Sequence, residues 1–200
     1  MTRLHHGVVG LDLSLTRTGV CYIPPWWDGK NDSIVVSSIE TQRDASAKGD
    51  PYALSDMETK RYLKIAKYII GFVGEYGVSY VAREGYAFST VRTKSGKSFQ
   101  SSSVTKLAEL GGVVQSQLFL FGGISLISIQ PNSARKYLTG GLKRGNQKDQ
   151  VRDFLRPFGF VFRNNDEMDS FVIACAMYGQ VNNVNSCFLK QKEFGFLEGE

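Results

Sequence analysis

The stretch that decides the fold is Gly7-Val8-Val9-Gly10-Leu11-Asp12-Leu13-Ser14-Leu15, followed by Thr16-Arg17-Thr18-Gly19. Its apolar residues fall on consecutive positions rather than alternate ones, which predicts a strand buried on both faces. The polar tetrad predicts a turn, and 19–23 a second strand returning beside the first. Asp12 then stands inside an apolar strand, where a carboxylate is costly unless hydrogen-bonded or bound to a cation. Turn N–H groups would satisfy it as well as a metal ion would, so the choice falls to the rest of the chain.

Working outward, 24–29 is a Pro/Trp/Gly loop carrying Trp26 and Trp27, and 33–39 reads as a third strand. A polar connection covers 41–54. Ser55-Asp56-Met57-Glu58 has the form of a capping box, and Tyr62, Ile65, Ala66, Ile69, Ile70 and Val73 recur at helical spacing up to about Tyr76. Gly77 ends that helix, and 78–82 is a fourth strand leaving the sheet at Arg83-Glu84-Gly85. The stretch 89–103 is rich in Ser, Thr, Lys and Gly without periodicity and reads as a long basic loop. A second helix over 104–118 stops at Gly122-Gly123. A fifth strand over 124–129, a short helix near Pro131, a basic loop over 139–147, a helix over 148–158 and a last helix from Asn165 to about Gln180 complete the order. The sequence βββαβαβα predicts an α/β fold, a mixed five-stranded sheet flanked by helices, in the chain order of the ribonuclease-H-like fold. One domain over 1–182 and a short tail over 183–200 are expected.

Composition sets bounds on partners. Apolar residues make up 42% of the chain, enough for a core and against wholesale disorder. No apolar run reaches the roughly 18–20 residues of a membrane span. Three cysteines, Cys21, Cys175 and Cys187, lack ligand spacing and an even count, so reduced thiols in a cytoplasmic protein are expected. The net charge is +5, and its distribution says more than its size. Five basic residues against Glu84 alone fall between Arg83 and Lys106 (Arg83, Arg92, Lys94, Lys97 and Lys106). Six fall between Arg135 and Arg152 against Asp149 alone, among them Lys136, Lys143, Arg144 and Lys148. Two such stretches suit a phosphate backbone, and equally two solvated loops.

The acids carry more information together than singly. Glu84 ends the fourth strand, where sites tend to form. Asp166 and Asp169 are three apart at the start of the last helix, so both project from one face. A first-strand Asp, a fourth-strand Glu and this pair can converge on one face of a mixed sheet. Ionised carboxylates that close repel without cations. An oxygen-only set selects hard ions such as Mg²⁺, with Mn²⁺ as substitute, and disfavours zinc. Two ions can activate a water and stabilise the leaving oxygen of a phosphodiester.

The sequence resembles the RuvC-type Holliday-junction resolvases, especially their divergent phage and viral members. Gly10-Leu11-Asp12-Leu13-Ser14-Leu15-Thr16-Arg17-Thr18-Gly19 is similar to the family's first-strand motif. Glu84-Gly85-Tyr86-Ala87-Phe88 is similar to its acid-plus-aromatic segment, and Ala108-Glu109-Leu110-Gly111-Gly112-Val113-Val114 to its glycine-bearing helix. Ala134-Arg135-Lys136-Tyr137-Leu138-Thr139-Gly140 with Lys148-Asp149-Gln150-Val151 resembles its basic segment, and Asp166-Glu167-Met168-Asp169-Ser170-Phe171 its terminal acidic pair. The resemblance implies a Mg²⁺-dependent crossover-junction endodeoxyribonuclease. Asp12, Glu84, Asp166 and Asp169 would hold two ions, Lys148 and Lys136 would stand near the scissile phosphate, and branched DNA would be cut by a homodimer.

DNA contacts are expected from Arg92, Lys94, Lys97, Lys106, Arg135, Lys143 and Arg144, with Tyr86 or Phe88 as a base-stacking wedge. The motif departs from the family where Leu13-Ser14 replaces the usual Pro-Gly and where Gly85 shifts the aromatic spacing. Other readings are a ribonuclease-H-fold nuclease acting on RNA–DNA hybrids, a fragment of an actin-like ATPase, and a non-catalytic junction-binding protein.

Overall fold

The computed structural model describes residues 5–42, 49–85, 91–92, 98–99, 102–141 and 145–184. Strands β1 (Val8–Asp12), β2 (Arg17–Ile23) and β3 (Val35–Glu40) lead into helix α1 (Pro51–Tyr76) and strand β4 (Tyr80–Glu84). Two short strands, β5 (Val91–Arg92) and β6 (Ser98–Phe99), precede α2 (Ser102–Gly122) and β7 (Leu126–Ile129). Helices α3 (Pro131–Thr139), α4 (Gln147–Leu155) and α5 (Asn165–Asn182) follow.

The main sheet has the order β3-β2-β1-β4-β7. β1, β2 and β3 form an antiparallel meander, while β4 runs parallel to β1 and β7 parallel to β4. This is the mixed five-stranded, ribonuclease-H-like arrangement expected from the sequence. Alternate residues of β1 feed two cores. Val9 and Leu11 pack with Val81 against α1 and α2, whereas Val8 packs with Ala82 against α3, α4 and α5. The central strand therefore has no polar face, and its continuous apolar run follows from that.

Several boundaries differ from the sequence reading. α1 begins at Pro51, not Ser55. The Asp50 carboxylate accepts hydrogen bonds from the N–H groups of Tyr52 (2.9 Å) and Ala53 (3.2 Å), and Pro51 fills the first helical position, where no N–H is needed. An Asp-Pro start outcompetes the downstream Ser-x-x-Glu, whose Glu58 instead pairs with Lys106. Gly77 ends α1 in the left-handed region, at φ 60°. β3 begins at Val35, because 31–33 close a 3-10 turn. Within the expected basic loop, Val91 and Arg92 pair with Phe99 and Ser98; strands of two residues leave no alternation to detect. α4 ends at Leu155, and a 3-10 turn containing Pro157 carries the chain to Gly159 at φ 77°.

Trp27 is buried with its ring edge against Phe171 and Tyr178, while its neighbour Trp26 is exposed. Cys21 and Cys175 are buried thiols of the core, and Cys187 lies outside the described residues. Of the tail expected at 183–200, only Asn183 and Val184 are described. No helix among the described residues is long and apolar enough to cross a membrane.

Candidate active site

Parallel pairing sets the first two acids side by side. Leu11 is in register with Arg83, so Asp12 and Glu84 end β1 and β4 at the same level. Both side chains leave the sheet where the parallel strands reach their carboxyl ends, the end at which α/β sheets gather function.

Two glycines bring the second pair of acids onto the first. Asp12 faces Gly19 across the β1–β2 ladder, and Gly10 lies two residues earlier on the same face. A Cβ on Gly10 would stand 2.3 Å from the Ser170 carbonyl oxygen and from the Ala174 nitrogen. One on Gly19 would stand 2.1 Å from the Asp166 carbonyl oxygen. The backbone of α5 thus lies directly on β1 and β2. The Asn164 side chain caps α5 by accepting from the Glu167 N–H at 2.9 Å, which fixes the first turn over the end of the sheet. Asp169 is buried at 4% exposure, and Asp166 is half-buried.

Electrostatics show how tightly these groups are gathered. Burial, then the neighbouring charges of Glu84, Asp169 and Asp166, push the Asp12 carboxyl from 3.8 up to about 8, with Lys148 opposing. Asp12 is thus far easier to protonate than an ordinary aspartate. Its carboxyl lies beside that of Glu84, and their interaction works against the rise of the Glu84 pKa. Glu84 is itself raised, by burial and by Asp169, against the pull of Arg135, Lys148 and this interaction. Asp166 is raised by burial, with Arg17 and Lys148 pulling the other way. Burial acts to discharge Lys148, yet its hydrogen bond to Asp169 and the charges of Asp169, Asp12 and Glu84 raise its pKa overall.

Asp169 is the hub of the charge balance. One oxygen accepts from Lys148 Nζ, and the other lies 3.6 Å from an Arg135 guanidinium nitrogen. Arg17 bridges Glu40, at 2.8 Å from Nε, and Asp166, at 3.9 Å. The sequence reading assigned nothing to Arg17. Its register opposite Glu40, one strand over from the Asp12 strand, is the signal that could have found it. Arg135, expected on DNA, reaches Asp169, whereas Lys136 beside it is exposed on α3. Lys106 is paired with Glu58 on α1.

Glu167, between the two acids in sequence, faces away from them. It is buried and accepts from Ser38 Oγ (3.1 Å) and the Arg163 N–H (3.0 Å). Tyr86, Phe88, Lys94, Lys97, Lys143 and Arg144 lie outside the described residues, and Arg92 is described only as part of β5.

A hard divalent cation suits the donor chemistry: four carboxylates, no imidazole or thiol, with burial and then mutual repulsion raising the Asp12 pKa. Among the described residues no three side chains are already arranged to chelate one. In this arrangement Lys148 and Arg135 occupy the Asp169 oxygens, and a cation would compete with them.

No protein-family model matches the chain, and no curated protein matches its sequence. Solved structures do. Thermus thermophilus RuvC in complex with a Holliday-junction substrate aligns at a TM-score of 0.63 and 17% identity, covering 90% of this chain and 96% of RuvC. A second Thermus thermophilus RuvC structure aligns at 0.59 and 17% identity, covering 87% and 95%. At that identity the likeness is one of architecture, and over nearly its whole length the chain has the ribonuclease-H-like fold of RuvC.

Proposed function

We propose that the protein is a structure-specific DNA endonuclease that resolves four-way junctions and related branched DNA by hydrolysing phosphodiesters. The observation that carries this reading is the convergence of four acids: Asp12 and Glu84 end adjacent parallel strands at one level, and the α5 backbone bearing Asp166 and Asp169 is seated on Gly10 and Gly19 beside them. A fold has no structural need for such a cluster, and a phosphodiester hydrolase does.

Asp12, Glu84, Asp166 and Asp169 would hold Mg²⁺ or Mn²⁺, two ions per site, which when bound supply an activated water and stabilise the leaving oxygen. Lys148, released from Asp169, offers an ammonium to the charge that develops on the attacked phosphate. Arg135 keeps Asp169 in place from the α3 side. The basic stretches around Lys97 and Arg144 bind strand backbones outside the site. The near two-fold symmetry of a junction calls for two sites in a C2 dimer, with the glycine-bearing face of α2 as the contact.

One gel tests the reading. Labelled four-way junction, linear duplex and RNA–DNA hybrid of equal length are incubated with the protein in Mg²⁺, Mn²⁺, Ca²⁺ or chelator. Paired cuts on opposed strands of the junction, leaving 5′-phosphates and needing Mg²⁺ or Mn²⁺, are expected. Preferential cutting of the hybrid would reassign the substrate, and an inert Mg²⁺ reaction on all three would end the nuclease reading. Light scattering of the junction complex showing one protomer only would remove the paired-cut model.

A further inference from the structure

Beside the acid site, on the Asp166 side, an open cleft of about 820 Å³ lies between the turn after β1, the end of β3 and the helices α1 and α2. Arg17, Arg61 and Lys106 line it, together with Glu40, Glu58 and Asp166. Its base is tied at one point. The Leu15 carbonyl oxygen accepts from Thr41 Oγ (2.6 Å) and from the Arg61 guanidinium, and the Thr41 N–H donates to the Thr16 carbonyl at 2.9 Å. Segments far apart in sequence therefore hold the cleft's shape before any ligand arrives.

The formal charges cancel, but they are not equally committed. Glu40 is well exposed, and its pair with Arg17 sits in water, where an incoming anion can replace it at little cost. Asp166 belongs to the acid set. That leaves Glu58, which pairs with Lys106 and accepts from the Tyr62 hydroxyl. The Arg61 Nε–H is buried, and no acceptor among the described residues meets it. The cleft thus carries one guanidinium without a carboxylate partner among the described residues, beside two cations paired to a well-exposed Glu40 and a part-buried Glu58. The ligand that complements it is one that only accepts hydrogen bonds and carries negative charge, as the non-bridging oxygens of a phosphodiester do.

We infer that this cleft is a backbone subsite for the DNA strand being cut. Arg61 and Lys106 bind a phosphate next to the one held at the acids, and Arg17 stands at the border between the two. The inference rests on the nuclease reading above and extends it to the path of the strand. Contacts of this kind position the strand without reading its bases.

Anisotropy of a fluorescein-labelled synthetic four-way junction, titrated with the full chain in Ca²⁺ at a series of NaCl concentrations, tests it. Lys106→Gln and Arg61→Gln are each expected to weaken binding roughly tenfold and to lower the salt slope by about one. Lys60→Gln removes an equal charge from an exposed α1 residue that does not line the cleft, and should leave both quantities unchanged. Should Arg61→Gln fail to fold, because it loses the bond to Leu15, Lys106→Gln decides alone. Wild-type affinity and slope in the variants, with a junction that the wild type binds well, would overturn the subsite and leave the nuclease reading standing. A wild type that binds no junction at all would overturn both.

Discussion

Gly19 and Asp166 touch backbone to backbone: a Cβ on the glycine would stand 2.1 Å from the Asp166 carbonyl oxygen. The acidic end of α5 reaches Asp12 because the strand beneath it offers no side chain at that position. Gly19→Ala should lift the first turn of α5 and cost about 3 kcal/mol. Gly10→Ala should cost at least as much, because its Cβ meets three α5 backbone atoms within 3 Å. Denaturant midpoints check the stability change, and cleavage should fall in both variants even where the protein remains folded. Wild-type melting in both would mean that α5 is not seated on the sheet backbone.

Asp12 offers a pH-dependent prediction. Its folded pKa of about 8 lies above the ordinary 3.8, so between about pH 4 and pH 8 the folded chain keeps a proton that the unfolded chain releases. The stability it contributes in the metal-free protein is full at the acidic end of that window and declines as pH rises through it. Asp12→Asn removes the ionisable group and should raise the melting temperature of metal-free protein at the alkaline end, with the gain fading toward the acidic end. The same variant should cut no DNA in Mg²⁺ while still binding a junction in Ca²⁺. A melting difference independent of pH would detach Asp12 from the cluster.

Lys148 and Arg135 hold the same carboxylate but should fail differently. Lys148 is half-exposed, so Lys148→Ala should cost little stability and slow single-turnover cleavage by roughly 10²-fold through the lost charge at the phosphate. The Arg135 and Asp169 side chains are only 15% and 6% exposed, and Arg135→Ala should destabilise by about 2–3 kcal/mol. Lys136→Ala, at an exposed neighbour, serves as the comparison and should melt like the wild type. Equal cleavage by wild type and Lys148→Ala would exclude the ammonium from the chemistry.

Glu167 separates an acid that builds from the acids proposed to react. Its carboxylate is held by Ser38 Oγ and the Arg163 N–H, on the side of α5 that faces β3. Glu167→Gln should lower stability by about 1–2 kcal/mol and leave single-turnover cleavage within a few-fold. A folded Glu167→Gln protein without activity would place it in the site after all.

Much of this arrangement was legible in the sequence. The uninterrupted apolar run around Asp12 predicts a central strand because burial on both faces leaves no position for alternation. The order of elements then fixes which strands are neighbours, and hence that Asp12 and Glu84 end together. Local competition was harder to read. Asp50-Pro51 and the later Ser55-x-x-Glu58 are both sound helix starts; the Asp50 cap sets the earlier one, and Glu58 is drawn off to Lys106 of α2. The partners of Asp169 depend on which flank of α3 packs inward, so Arg135 and Lys136 look alike until the helix is docked. Arg17 carries no motif at all, and its bridge between Glu40 and Asp166 exists only in three dimensions.

Fourteen of the eighteen residues of α5 are buried, so the helix that bears two of the acids is sheathed by the rest of the protein along almost its whole length. An element so enclosed exchanges its amide hydrogens only when the entire molecule opens. Heat should therefore not melt the enclosed body of α5, Asp169 included, while the remainder survives. The proposed cleavage activity and the folded state should disappear in one cooperative step.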